Sequence, residues 1–314
     1  MNMIEKFQEL DHIRLNFNSE GLLALNIVLA LIMFGIALGI EPKNFKTILT
    51  SPKPVVIGFI SQFVILPFLT FLFVFFLKGY ITPSVALGMI LVAACPGGNI
   101  SNFISSLAKA NIELSVSLTA IATISAIVFT PFNYTFYGNL FSAHSDLIRP
   151  IEIDAFEMFQ TVLLLLGIPV IAGIVFAYKY PGLTKKIVKP IRIFSILAFF
   201  SFVLMAFANN FSFFIHHIQY IFILVLFHNG LALLSGYLIS TVFKIKGKDR
   251  RTTTIETGIK NSGLGLVLIF NPLLFPKHLP VGGMAFVAAW WGIWHMVSGF
   301  FIAAIWNYKS KSEL

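Results

Sequence analysis

Nine stretches of the chain are apolar for 20 residues or more, and short polar segments separate them. Their approximate ranges are 22–41, 53–77, 83–108, 113–137, 156–178, 188–210, 217–243, 252–275 and 281–307. At about 1.5 Å per residue, each is long enough as a helix to cross a hydrocarbon core of about 30 Å. The pattern predicts an all-α polytopic membrane protein with nine transmembrane helices. A polar or amphipathic lead-in occupies 1–20, and 308–314 forms a short tail. The lead-in carries no apolar core ahead of a small-residue cleavage site, so it does not read as a cleaved signal peptide.

Two of the nine segments are interrupted. The third contains "AACPGGNISNF" (residues 93–103), where Pro96, Gly97 and Gly98 work against a continuous α-helix. The eighth contains "ETGIKNSGLG" (residues 256–265), loosened by Gly258, Gly263 and Gly265. In lipid an unpaired backbone amide costs several kcal/mol, so such breaks must face protein or a water-filled cavity. A plain Pro-Gly kink is the simpler reading of the third segment. With nine passages, however, the two breaks lie in oppositely directed helices, one in each half of the chain. That arrangement points to an inverted-repeat transporter whose site lies where the breaks meet at mid-membrane. The repeats would cover 22–137, with four helices, and 156–307, with five.

Loop charge orients the chain. Sixteen Lys and Arg fall on one side of the nine passages: Lys43, Lys46 and Lys53, Lys109, the cluster from Lys179 to Arg192, the cluster from Lys244 to Arg251, and Lys309 and Lys311. Five fall on the other, at Lys6, Arg14, Lys78, Arg149 and Lys277. The positive-inside rule then puts the N-terminus outside and the C-terminus in the cytoplasm. Composition agrees with a membrane chain: 57% of residues are hydrophobic and only 11% charged. The net charge of +9 comes from these short loops and does not indicate nucleic acid. A single Cys95 excludes a disulfide framework within the chain. The compact size and lack of processing signals suit a bacterial inner (plasma) membrane.

The motifs "CPGGNISN", "ELSVSLT", "FHNG", "ETGIKNSGL" and "WHMVSG" occur in this order along the chain. Together they resemble the bile acid:sodium symporter family, over about residues 22–307. The resemblance implies a core domain and a panel domain that move against each other, and sodium-driven uptake of an organic anion. Bacterial members often have ten helices; this chain resembles the animal members in lacking the first. The family's first sodium site carries over to Ser101, Asn102, Ser115, Thr119 and Glu256. The second carries over to Gln62, Glu256, the carbonyls near Thr257 and Ile259, and the position of Lys260, where the family has Gln. The substrate site would lie near Asn99, Ile100 and Asn261. Asn99 stands where many relatives have a small hydroxyl residue, and Met296 where bacterial relatives often have Asn.

The residues alone leave several alternatives open. Ser115 and Thr119 share a helix face and also suit ordinary helix packing. Glu256 is harder to explain without an ion, because an intramembrane carboxylate is costly. Lys260 stands four residues after Glu256, the favourable order if the backbone stays helical. An ammonium has donors only and cannot ligate sodium. Lys260 therefore either replaces the second sodium as a tethered cation, with transport coupled to one sodium, to a proton or to no ion, or it snorkels or turns into a water-filled cavity and tunes substrate choice. The 35 Phe include candidates for an apolar substrate cavity, though lipid-facing packing accounts for most of them. His228 and His295 read as helix–helix hydrogen-bonding residues, since neither has a partner at metal-ligand spacing. The chain is not expected to be an enzyme: its Asp residues lie in loops or termini, leaving no buried pair for an aspartyl protease. A Ser262/His295 hydrolase has no further support. A channel and a non-transporting anion sensor are the other rivals.

Overall fold

The structure, a computed structural model, describes residues 3–12, 19–40, 50–98, 100–144, 154–209, 211–245, 247–271, 274–275 and 279–312. These residues are helical apart from turns and two isolated β-bridges. In chain order the helices are α1 (Met3–His12), α2 (Ser19–Leu38), α3 (Pro52–Ile60), α4 (Leu66–Phe76), α5 (Pro83–Ala94) and α6 (Ile100–Leu107). There follow α7 (Ile112–Ala143), α8 (Ala155–Val162), α9 (Ile168–Lys179), α10 (Pro181–Asn209) and α11 (Phe211–Val242). The last three are α12 (Gly247–Gly258), α13 (Ser262–Ile269) and α14 (Gly282–Ser312). Among the described residues, five rods are long and apolar enough to cross a bilayer: Pro52–Phe76, Ile112–Ala143, Ala155–Lys179, Ile218–Val242 and Gly282–Tyr308. The chain is a multi-pass membrane protein with two discontinuous helices, α5/α6 and α12/α13.

Local sequence sets the helix starts. Asn111, Asp154 and Asn261 each accept a hydrogen bond from the amide three residues on, at 3.1, 2.8 and 3.1 Å. Thr82 caps α5, whose first residue is Pro83, the position where a missing N–H costs least. Two rods contain a single π-helical turn, Ser61–Ile65 and Leu163–Gly167, each followed closely by a proline. In the first, the Leu66 amide reaches back to the Ser61 carbonyl and Pro67 has no amide to give. The carbonyls of Gln62 and Phe63 are thereby released from the helix ladder. The Asn133 side chain donates to the Phe63 carbonyl at 2.9 Å. Asn133→Leu leaves that buried carbonyl without a donor and is expected to cost about 1–3 kcal/mol. A lowered thermal midpoint of the purified variant checks this.

The helices form two groups. α2 packs on α9 and α10. The larger group holds α5 packed on α7 and α14, and α11 packed on α12 and α14. α5 is buried on all sides from Ser84 to Ala94, so the core of the larger group forms around it. The groups touch through α8 on α7 and α2 on α13, and the chain joins them between α10 and α11. Among the described residues these contacts run from the end where α5 and α14 begin and α13 finishes to Gly167, which lies beside Ile127 in the middle of α7. The helix α1 docks at that same end, on α14 and α5. The lead-in expected for 1–20 thus contains an amphipathic helix in which Phe7, Leu10 and Asp11 are buried.

Candidate transport and ion site

The breaks of the two discontinuous helices cross each other. Gly97 and Lys260 form an antiparallel bridge. The Gly98 amide donates to the Ile259 carbonyl at 2.7 Å, and the Asn261 amide to the Pro96 carbonyl at 2.9 Å. Each break therefore satisfies backbone groups that the other leaves open, which is what an apolar surrounding demands. Glycine is required for this approach: a Cβ at Gly98 would stand 2.9 Å from the Lys260 carbonyl oxygen.

Glu256, in the last turn of α12, is fully buried against α6 and α7. Ser101 and Ser115 donate to its Oε1 at 2.6 and 2.5 Å. Thr119 lies 3.3 Å from Oε1 and 3.2 Å from Oε2. The Asn102 Oδ1 stands 2.8 Å from the Ser115 hydroxyl and 3.3 Å from that of Thr119. The five residues singled out from sequence for the first sodium site thus converge in one cluster. Their oxygens are hard ligands, the type that suits Na⁺, and Glu256 supplies one negative charge. Sequence reasoning missed Ser105, whose hydroxyl lies 3.2 Å from Ser115. Its spacing of four from Ser101 on α6 was the available signal.

The second group of residues gathers around Gly97. A Cβ there would lie 3.0 Å from Glu256 Oε2 and 3.1 Å from Gln62 Oε1, so carboxylate and amide oxygens flank this glycine. Gln62 is fully buried, and neither its Oε1 nor its Nε2 has a hydrogen-bond partner among the described residues. A buried amide left open on both atoms is the kind of group that water or an ion completes. Thr257 is committed elsewhere: its hydroxyl lies 2.8 Å from Ser61 and donates to the Thr253 carbonyl at 2.8 Å. The Ile259 carbonyl is taken by Gly98, as above. Gly97→Ala is expected to lower transport by about 10- to 100-fold, because ångström-scale displacement at a site costs up to about that much. Uptake by the reconstituted variant checks this.

Lys260 is fully buried, and its Nζ contacts the Gln62 carbonyl at 3.5 Å and faces the Phe63 ring at 5.7 Å. The contact is with the carbonyl that the π-turn releases. It is not with the Glu256 carboxylate, whose donors are the three hydroxyls. The helix ends at Gly258, so Lys260 no longer follows Glu256 around a helical face.

On the substrate side, Asn99 lies outside the described residues. Ile100 is partly buried against the cluster of Ile104 and Ile259. Asn261 spends its side-chain oxygen capping α13. His228 is buried, with Nε2 2.8 Å from the Thr70 hydroxyl, stacks on Phe73 and meets Trp291 edge-on. Asn229 donates to the Gly258 carbonyl at 2.8 Å, closing the open end of α12, and accepts from Ser298 at 2.5 Å. Among the described residues, no three of His, Cys, Asp and Glu gather as a metal centre.

The sequence also matches known proteins. The profile of the family described as "Sodium Bile acid symporter family" matches residues 26–217. The uncharacterized sodium-dependent transporter YocS of Bacillus subtilis is 30% identical over 292 residues, 92% of this chain and 84% of that protein. The P3 protein of Mus musculus is 32% identical over 232 residues, and the match spans only 47% of that protein. The probable sodium/metabolite cotransporter BASS1 of Arabidopsis thaliana, chloroplastic, is 27% identical over 289 residues, 91% of this chain and 67% of that protein. The profile covers more than half of the sequence, and the likeness to YocS runs nearly end to end: the chain belongs to the sodium bile acid symporter family.

Proposed function

We propose that this protein moves an organic anion (bile-acid-like, a sterol conjugate or a small carboxylate) across the inner (plasma) membrane by alternating access. As a member of its family the chain is a secondary transporter and not an enzyme. The two helix groups serve as panel (α2, α8–α10) and core (the remainder from α3 on). They derive from inverted repeats at 22–137 and 156–307, with nine passages, the N-terminus outside and the C-terminus in the cytoplasm. The observation that carries this is the antiparallel crossing of two broken helices beside a buried, hydroxyl-ringed carboxylate.

Ser101, Asn102, Ser115, Thr119 and Glu256 would hold one sodium ion. At the second site Lys260 takes the place of the ion, alongside Gln62 and the main chain at Thr257 and Ile259. Three facts favour a tethered cation there. Lys260 is buried, its nitrogen meets the Gln62 carbonyl, and its chain strand lies across Gly97, beside which Glu256 and Gln62 present their oxygens. One sodium with Glu256⁻ and Lys260⁺ then carries the same local charge as two sodium ions with Glu256⁻. The substrate would bind beside the crossing near Asn99, Ile100 and Asn261, where the amides that open α6 and α13 favour an anion.

A second reading is an ordinary two-sodium symporter in which Lys260 tunes substrate choice. The open side-chain amide of Gln62 favours it, because that oxygen remains available to an ion. Uptake into proteoliposomes with and without a sodium gradient tests both, with a bile acid, a sterol sulfate and a small hydroxy acid as trial substrates. One sodium per substrate supports the tethered cation, and two support the second reading. Binding of these anions without any crossing of the sealed membrane would identify an anion sensor.

A further inference from the structure

The carboxylate of Asp11 is buried outside the proposed transport site. Helix α1 is amphipathic: Phe7, Leu10 and Asp11 face inwards, while Glu5, Gln8, Glu9 and His12 are exposed. Phe7 meets the Tyr220 ring of α11 edge-on at 6.3 Å, and Lys6 hydrogen-bonds the Tyr220 hydroxyl. Thr82 donates to Asp11 Oδ1 at 3.0 Å, and Asp11 also takes hydrogen bonds from Ser84 and the Gly283 backbone. A side chain at Gly283 would collide with that same Oδ1 and with Val85. Ser84 in turn accepts the Met284 amide at 3.2 Å. One carboxyl group therefore ties α1 to the first turns of both α5 and α14, where those two helices are themselves locked together.

The position of α1 gives this contact a mechanical consequence. α1 docks on the larger helix group but continues in the chain to α2, which packs with α9 and α10. Only residues 13–18 separate the two helices, so their facing ends stand about 25 Å apart at most. The two groups also touch at the α1 end. We propose that α1 is a proton-sensitive latch: docked through a protonated Asp11, it straps α2 to the larger group and holds the α1 end of the protein closed. The inference rests on the two-group reading of the fold and does not depend on which ion drives transport.

The chemistry supports the proton dependence. α5 offers Asp11 the hydroxyls of Thr82 and Ser84 and has no ionisable side chain of its own. α14 offers the Gly283 main chain, and α11 offers Tyr220, which Lys6 engages. The other ionisable groups of α1 (Glu5, Glu9 and His12) lie on its exposed side. Burial raises the Asp11 carboxyl from its ordinary value to about 7, against the hydrogen bonds from Thr82, Ser84 and Gly283, which lower it. The sign follows: docking is favoured by protons, is fullest below the ordinary carboxyl range, and weakens as pH rises to about 7. Between pH 6 and 8.5 the docking equilibrium should fall by about tenfold.

The test is thiol labelling of Leu10→Cys in lipid nanodiscs, which expose both faces of the protein. The native Cys95 is fully buried, and the unmodified protein supplies the background. Rates are normalised to the exposed Gln8→Cys, which removes the intrinsic pH dependence of the reagent. We expect strong protection at pH 6 and an about tenfold faster normalised rate at pH 8.5. Adding Asp11→Asn, which keeps the acceptor for Thr82 but cannot ionise, should leave the site protected at both pH values. Labelling at the control rate at pH 6, equal protection at both pH values, or a rise that survives Asp11→Asn overturns the latch. A failed sodium-coupling experiment would leave these rates unchanged, so the two proposals fail separately.

Discussion

Lys260→Gln is expected to increase the sodium dependence of uptake, with the Hill coefficient for sodium rising from about 1 towards 2. The argument is one of charge and ligand type. A protonated amine brings a positive charge but no lone pair. Gln brings no charge and one carbonyl oxygen, beside the Gln62 main chain that the ammonium now contacts. Removing the ammonium leaves the Glu256 charge to be balanced by ions alone and supplies the missing ligand. Lys260→Met separates the two effects, since it removes the charge without adding an oxygen. It should lose transport without gaining a second sodium. If wild-type uptake already rises with the square of sodium concentration and Lys260→Gln leaves that unchanged, Lys260 is not standing in for an ion.

The crossing was legible because its cause is local. Pro96-Gly97-Gly98 cannot continue a helix in lipid without partners, and a comparable break lies in the other half of the chain. The convergence of Ser101, Asn102, Ser115, Thr119 and Glu256 was legible through the family's motifs more than through periodicity. A hydroxyl pair four apart on a helix is as common in packing as in ion binding. The environment of Lys260 was not legible. Helical spacing from Glu256 pointed to a pair, but α12 stops at Gly258 and the next residues run antiparallel to Gly97. The partner is instead a carbonyl some 200 positions earlier, released by a π-turn ahead of Pro67. A π-turn leaves little trace in hydrophobic periodicity, and Pro67 reads only as a kink. The docking of α1 was hidden for a similar reason. Its apolar face is a few residues long, and a terminal Asp is solvated unless a distant glycine makes room for it. Gly283 does so, and no pattern within 1–20 announces that.

Glu256→Gln is expected to abolish the response of the protein to sodium altogether. The carboxylate is the single formal negative charge in the hydroxyl cluster, and its two oxygens meet Ser101, Ser115 and Thr119. Replacing it by an amide puts a neutral group, half of it a donor, where those hydroxyls now donate. A ligand that binds only the folded state stabilises it by about 2.7 kcal/mol at 100 times its dissociation constant. For the wild type this should appear as a rise of roughly 5 °C in the thermal midpoint when NaCl replaces choline chloride at equal ionic strength. Glu256→Gln should show no rise. Its baseline midpoint should also drop, because Lys260 then remains buried with no nearby negative charge, and an uncompensated buried charge is strongly destabilising. The double variant Glu256→Gln with Lys260→Met distinguishes the two losses. It should recover part of the baseline, since no charge is left behind, and still fail to respond to sodium. A sodium-dependent rise that persists in either variant would place the ion away from Glu256. The hydroxyl cluster would then be a packing device of α6, α7 and α12, and coupling would have to be sought beside the open amide of Gln62.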